Sequence, residues 1–193
     1  MPPKRIRDTV YVVGAGFSVG LGYPMTSSLL SGVWKRLDTK EGNQLRKIVK
    51  FHRPDFDQTL RSTFPDMERF LTEIDVNLKL FHSSRPAEGN FTKEKLQNAH
   101  DDLLWTIGKW FHELFDHAVE VPWAMRFSER LRHGNAAIVS FNWDLVLDHL
   151  VFNGEIVKDN YGLAKQLAEG PLLFKPHGSL NWGRPQETER GVR

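Results

Sequence analysis

Apolar positions along the chain fall into two kinds of pattern. Residues 10–13 (Val-Tyr-Val-Val) form a short continuous apolar run that stops at Gly14. Such a run predicts a strand buried on both faces, as in a parallel sheet covered by helices. Strand character returns at residues 136–141, and a third apolar run covers residues 171–175. Elsewhere the apolar residues recur at helical spacing. Met25, Leu29, Leu30, Val33, Trp34 and Leu37 predict a helix that starts near Thr26 or Ser27 and ends before Gly42. Met67, Phe70, Leu71, Ile74 and Leu78 mark a second helix, entered through Thr63 and Pro65. A longer stripe runs through Leu96, Ala99, Leu103, Ile107, Trp110, Leu114 and Ala118. Pro122 opens a further helix carrying Trp123, Phe127 and Leu131, which Gly134 ends. A short helix is expected from about Asp144 to Val151, and residues 83–90, with Pro86 and Gly89, read as a loop. Residues 43–132 are thus almost wholly helical, and their stripes are core faces that carry no chemistry.

The order of elements is the informative part. Each strand candidate ends in a small polar cluster: Gly14-Ala15-Gly16-Phe17-Ser18, Ser140-Phe141-Asn142-Trp143-Asp144, and His177-Gly178-Ser179. In an open parallel sheet ligands bind outside the carboxyl ends of the strands, so all three clusters are expected to face one crevice.

Strand, Gly14-x-Gly16, then helix is a recipe for a phosphate cradle, because glycine lets a pyrophosphate approach the backbone and helix N-termini favour anions. The third glycine, Gly20, is displaced by one from the usual oxidoreductase fingerprint, a variation some dehydrogenases share. Their acidic residue at the end of a second strand is harder to find. Asp38 stands at about the right distance but follows a helix directly, which weakens that reading. A glycine turn without any ligand is the plainer alternative.

Asp144 alone reads as a helix cap. Asn142 is less easily dismissed, since an uncharged amide at a strand end suits ribose hydroxyls or a water. His177 is one of eight histidines, set between Pro176 and Gly178 at the end of the third strand. An imidazole placed there is a natural base for a sugar hydroxyl or water. His112-Glu113 resembles the start of a zinc-protease motif, but His117 follows at a spacing of five, which turns the rings apart. No metal site is expected.

Composition narrows the class. The 193 residues are 40% hydrophobic and 26% charged, as in ordinary globular chains. A net charge of +2 is too small to argue for direct nucleic-acid binding, and the basic Lys4, Arg5 and Arg7 read as a solvated tail. With no cysteine, disulfides, thiolate metal sites and cysteine nucleophiles are excluded. No apolar run approaches the ~18 residues of a membrane span, and the start lacks a signal peptide's apolar core, so a cytoplasmic protein is expected.

The three clusters, in this order, resemble the sirtuin superfamily, and in particular its bacterial antiphage branch of NAD-consuming domains. Gly14-Ala15-Gly16-Phe17-Ser18 with Gly22-Tyr23-Pro24 looks like the sirtuin glycine-alanine-glycine-x-serine loop and its later glycine-x-proline. Ser140-Phe141-Asn142-Trp143-Asp144 is similar to the segment bearing the catalytic asparagine. Residues 175–182, Lys-Pro-His-Gly-Ser-Leu-Asn-Trp, match the branch's histidine-glycine-serine strand end. The resemblance implies an α/β fold with a Rossmann-like parallel sheet, in one domain over residues 1–193 with a helical insertion at about 43–132. The family continues with strands that hold the adenine half of NAD, so the last part of its fold is not expected within this chain.

By the same resemblance Gly14, Ala15, Gly16, Phe17, Ser18, Gly178 and Ser179 would line NAD, Asn142 would hold the ribose or the attacking water, and Asp144 the nicotinamide amide. His177 would be the general base. The four-cysteine zinc of protein deacylases cannot be built here, and Met25-Thr26 follows Pro24 where deacylases carry aspartate-phenylalanine-arginine. Both departures imply water as the nucleophile: an NAD glycohydrolase releasing nicotinamide and ADP-ribose, or else a module that senses NAD or ADP-ribose within a larger complex. Homo-oligomers, or a defence partner of ATPase, helicase or argonaute type, are the assemblies implied. The polar tail after Trp182 is expected to be disordered.

Overall fold

The computed structural model describes residues 7–80, 92–154, 160–163 and 170–180. The expected loop at 83–90, the basic Lys4 and Arg5, Asn181, Trp182 and the tail beyond lie outside the described residues. The chain is mixed α/β and divides into two compact units, residues 1–23 with 114–193 and residues 24–113.

The first unit holds an open, three-stranded parallel sheet in the order β1 (Thr9–Val13), β2 (Ala136–Ser140), β3 (Leu172–Phe174). Its helices are α1 (Ala15–Val19), α6 (Pro122–His133), α7 (Val146–Phe152) and the end of α5 (Lys93–Val119). Thr9 pairs with Ala136, Tyr11 with Ile138 and Val13 with Ser140, while Ile138 pairs with Leu173. Residues paired in a parallel ladder share a face, so Tyr11, Ile138 and Leu173 point the same way. There they pack with Leu131 of α6 and Leu147 and Val151 of α7, joined by Tyr161. Each such fully buried aliphatic side chain contributes about 1.5–3 kcal/mol. Aromatic edges extend this core: Phe127 meets Tyr11 at 5.3 Å and Phe17 at 5.7 Å, and Phe17 meets Trp123 at 5.1 Å.

The other face carries a correction. Val10 and Val12 are 58% and 68% exposed, so β1 is not buried on both faces as its apolar run predicted. Ala137 and Leu172, on the same face of β2 and β3, are buried. Val139 and Phe174 on that face are half-buried, so the fully bare positions belong to β1, one of the sheet's two edge strands.

The second unit is helical: α2 (Thr26–Trp34), α3 (Thr39–His52), a 3-10 turn at Arg61–Thr63, α4 (Met67–Leu80) and α5 through Glu113. Two expected boundaries move. The helix expected to end before Gly42 does so at Trp34, which leaves Leu37 of its stripe outside, and Gly42 lies inside α3 instead of marking a helix end. Asp38 opens α3 with a full capping box: its carboxylate accepts from the Glu41 amide at 2.8 Å, and the Glu41 carboxylate accepts from the Asp38 amide at 3.0 Å. Similarly, α4 is entered at Asp66, whose carboxylate accepts from the amides of Glu68 and Arg69. Thr63 instead closes the preceding turn onto the carbonyls of Asp57 and Leu60. Trp34, Phe56 and Phe64 form an aromatic trio with centroids 5.1–5.5 Å apart. Trp110 lies so close to Gly32 that no Cβ fits there, and Arg36 covers its ring at 3.9 Å. None of the helices among the described residues is long and apolar enough to cross a membrane.

Candidate functional site

The site is built at the carboxyl ends of the three strands, within the first unit. Gly14 ends β1 in an extended conformation, and its carbonyl accepts from the Phe17 amide at 2.9 Å, starting α1. That single turn of helix presents the Ser18 side chain, which is buried. On β2, the Phe141 amide still bonds Val13 at 3.0 Å, and the chain then leaves the sheet.

Asn142, buried at 9% exposure, sends its amide nitrogen to the Gly14 carbonyl at 2.9 Å and to Ser18 Oγ at 2.8 Å. Both amide protons are thereby committed, which fixes the orientation of the group. Ser18 Oγ donates in turn to Asp144 Oδ2 at 2.5 Å, and Asp144 Oδ1 accepts from the Val146 amide at 3.1 Å. Asp144 is thus an Asx turn leading into α7 as well as part of the site. Burial pushes its carboxyl above the ordinary range. The Ser18 hydroxyl, the Lys175 ammonium and the Val146 amide pull the other way, and Asp148 adds to the rise. Burial, with the Asp144 carboxylate nearby, likewise pushes the Tyr23 phenol well up.

Lys175 joins the third strand to this network. Its ammonium donates to the Asp144 carbonyl at 2.6 Å, to Asp148 Oδ2 at 3.0 Å and to Ser179 Oγ at 2.8 Å. The second carboxylate oxygen of Asp148 accepts from the Tyr161 hydroxyl. The following turn closes with the Gly178 amide on the Lys175 carbonyl at 2.9 Å, Pro176 in its second position and Gly178 at φ +83°. That left-handed backbone accounts for a glycine at 178 without any ligand. The loops after β2 and β3 are zipped by two more bonds. The Leu180 amide donates to the Trp143 carbonyl at 3.2 Å, and Trp143 Nε1 donates to the His177 carbonyl at 3.1 Å.

Gly14, Ser18, Asn142, Asp144 and Ser179 are therefore linked by one continuous set of hydrogen bonds. His177 stands at the same end of the sheet but outside the buried set. Its ring is exposed and meets the ring of Phe141 edge-on, with centroids 5.1 Å apart. Phe17 does not join the polar set either, because its ring packs on Phe127 and Trp123. Gly20 has a packing reason of its own: a Cβ there would come within 3.1 Å of the Trp123 ring. Above Gly14 and Gly16 the space is open, since a Cβ on either would meet nothing within 4 Å.

Lys175, Asp148, Tyr161 and Tyr23 received no role from the sequence. A signal existed for two of them. Asp148 interrupts the apolar Val-Leu-Asp-His-Leu-Val-Phe of α7, and Lys175 ends the apolar run of β3. Charges set in apolar runs call for partners. Among the described residues no three His, Asp or Glu side chains gather as a metal would require, and His112 and His117 lie exposed on α5.

No protein-family model matches the chain, and no curated protein matches it. The functional reading therefore rests on the sequence motifs and on the geometry of this site.

Proposed function

We propose that this strand-end site binds NAD and hydrolyses it to nicotinamide and ADP-ribose. The observation that carries the reading is the pair of bonds from Asn142 Nδ2 to the Gly14 carbonyl and Ser18 Oγ. They join the glycine turn to the asparagine loop across more than 120 residues of chain, as a dinucleotide site of the sirtuin-like kind requires. The parallel sheet with a glycine turn at the carboxyl end of β1 agrees with a Rossmann-like fold. Open space above Gly14 and Gly16 suits a phosphate approaching backbone amides.

Nicotinamide leaves a pyridinium as a neutral molecule, so no acid is needed. The work left is to stabilise positive charge on the ribose and to admit one water. With both Nδ2 protons committed, Asn142 offers its Oδ1 to a ribose hydroxyl or to that water. His177 takes the water's proton, and its exposed ring can return that proton to solvent. Asp144 is buried and already engaged by Ser18 and Val146, so in this reading it braces Asn142 through Ser18 instead of reading the nicotinamide amide.

A second reading has a specific observation in its favour. The His177 ring is exposed while Asn142 is buried, which suits a module that binds NAD or ADP-ribose without cleaving it. Incubation with NAD separates the two. Released nicotinamide, abolished by His177→Ala and by Asn142→Ala, supports hydrolysis. Turnover that persists in both variants removes these residues from the mechanism, and calorimetric binding without product selects the sensing module. An NAD consumer acting on the cytoplasmic pool would poison its own cell unless gated. The resemblance of its motifs to the antiphage branch of sirtuin-like domains supports a role in antiphage defence, with the activity switched on by self-assembly or by an ATPase, helicase or argonaute-type partner. An active lone monomer in native mass spectrometry would contradict the gating.

A further inference from the structure

Lys175 is 3% exposed, and all three of its ammonium donors are engaged. Taking an ammonium out of water is unfavourable, and an apolar pair of like volume commonly serves stability as well or better. The identity of its acceptors gives the charge a different use. The Asp144 carbonyl belongs to the loop that carries Asn142, Ser179 Oγ belongs to the loop that carries His177, and Asp148 anchors both to α7. Asp148 is itself held by the Tyr161 hydroxyl. Only Pro176 separates Lys175 from His177, and the turn that carries both closes on the Lys175 carbonyl.

We propose that Lys175 is a positioning residue: its ammonium pins the loops after β2 and β3 together and so sets where His177 stands relative to Asn142. The functional half of this statement rests on the NAD-hydrolysis reading, whereas the structural half does not. Without the ammonium, the bonds from Leu180 to Trp143 and from Trp143 to His177 still run between the two loops, but the buried link through Asp144, Asp148 and Ser179 is lost. The Trp143 indole N–H, which donates to the His177 carbonyl, therefore reports directly on whether the loops stay docked.

The test uses the full chain and two readouts, NAD hydrolysis and hydrogen exchange of the Trp143 indole followed by NMR. Lys175→Met orphans the Asp148 carboxylate, so Lys175→Met/Asp148→Asn is made beside it, removing that charge while keeping an acceptor for Tyr161. In both variants indole exchange is expected to quicken by about fivefold to tenfold. kcat is expected to fall about 100-fold with KM within a few-fold, the pattern of misplaced catalytic groups. The double variant is expected to recover most of the melting temperature but none of the kcat. A double variant with wild-type kcat in an active enzyme, or with wild-type indole protection, overturns the proposal. Ser179→Ala keeps the Lys175–Asp148 pair and loosens only the His177 loop, so it provides the answer should neither Lys175 variant fold. Faster indole exchange in it supports the pin, and unchanged exchange overturns it. Should the wild-type protein release no nicotinamide, the hydrolysis reading fails by itself and the exchange readout alone decides the role of Lys175.

Discussion

Ser18 and Asn142 share a hydrogen bond in which Nδ2 donates to Oγ at 2.8 Å, and a double-mutant cycle can measure it. Asn142→Ala removes that bond and the one to the Gly14 carbonyl. At about 1 kcal/mol for each neutral bond, the loss is about 2 kcal/mol. Ser18→Ala removes the same shared bond and also the charge-assisted bond to Asp144, about 1.5–3 kcal/mol, for a total near 3 kcal/mol. In the double variant the shared bond is lost once, so the combined effect should be about 4 kcal/mol where simple addition gives about 5. Urea unfolding followed by circular dichroism reads these values, provided the denaturant slopes agree across the four proteins. At roughly 2–4 °C per kcal/mol for a chain of this size, each single variant should melt about 4–12 °C below wild type. A coupling within about 0.3 kcal/mol of zero would mean that Ser18 and Asn142 do not touch, and the site built on that contact would fall with it.

Three further outcomes are expected. Gly32→Ala forces a methyl group into the Trp110 ring and should cost about 1–3 kcal/mol in urea unfolding, so a variant as stable as wild type would contradict the close approach. Because burial raises the Asp144 carboxyl, the folded state favours its protonated form. The stability this contributes is present below the usual carboxylate value of about 3.9 and is lost as pH rises through the elevated folded value. Asp144→Asn should therefore gain stability relative to wild type as pH rises from about 4 to about 7, and a relative loss over that interval would show the carboxyl to be depressed instead. Gly14→Ala places its methyl in open space, so stability should hold within about 0.5 kcal/mol while NAD affinity in calorimetry drops about tenfold or more. Unchanged affinity would remove the glycine turn from the phosphate site.

How far the sequence alone carries can be judged residue by residue. Gly14, Ser18, Asn142 and Ser179 were legible as neighbours because parallel strands bring their carboxyl ends to one side, and each apolar run ended in a polar cluster. The long stripe from Leu96 to Ala118 appears as α5, and Pro122 and Gly134 bound α6, since 3.6-residue periodicity and terminal proline and glycine are local signals. Asp38 and Glu41, three residues apart, carry the local mark of a capping box, which the dehydrogenase-like spacing of Asp38 overshadows. Other features depend on tertiary register and have no local mark. Val10 and Val12 look the same in a covered strand as in a bare one. The bond from Lys175 to Asp148 spans 27 positions and needs the β2–β3 pairing before either charge finds the other. The exposure of the His177 ring depends on which way a four-residue turn rolls, and Pro176 and Gly178 constrain that turn without choosing its side.

The bare outer face of β1 bears on how the protein behaves in the tube. Two valines stand in water on an edge strand, and among the described residues no further strand takes up the backbone groups on its open side. Such an edge is a template on which a neighbouring chain can lay down a strand of its own, so purified material should turn cloudy as it is concentrated. Val12→Lys, which leaves every hydrogen bond of the strand-end site in place, should raise the concentration at which light scattering sets in.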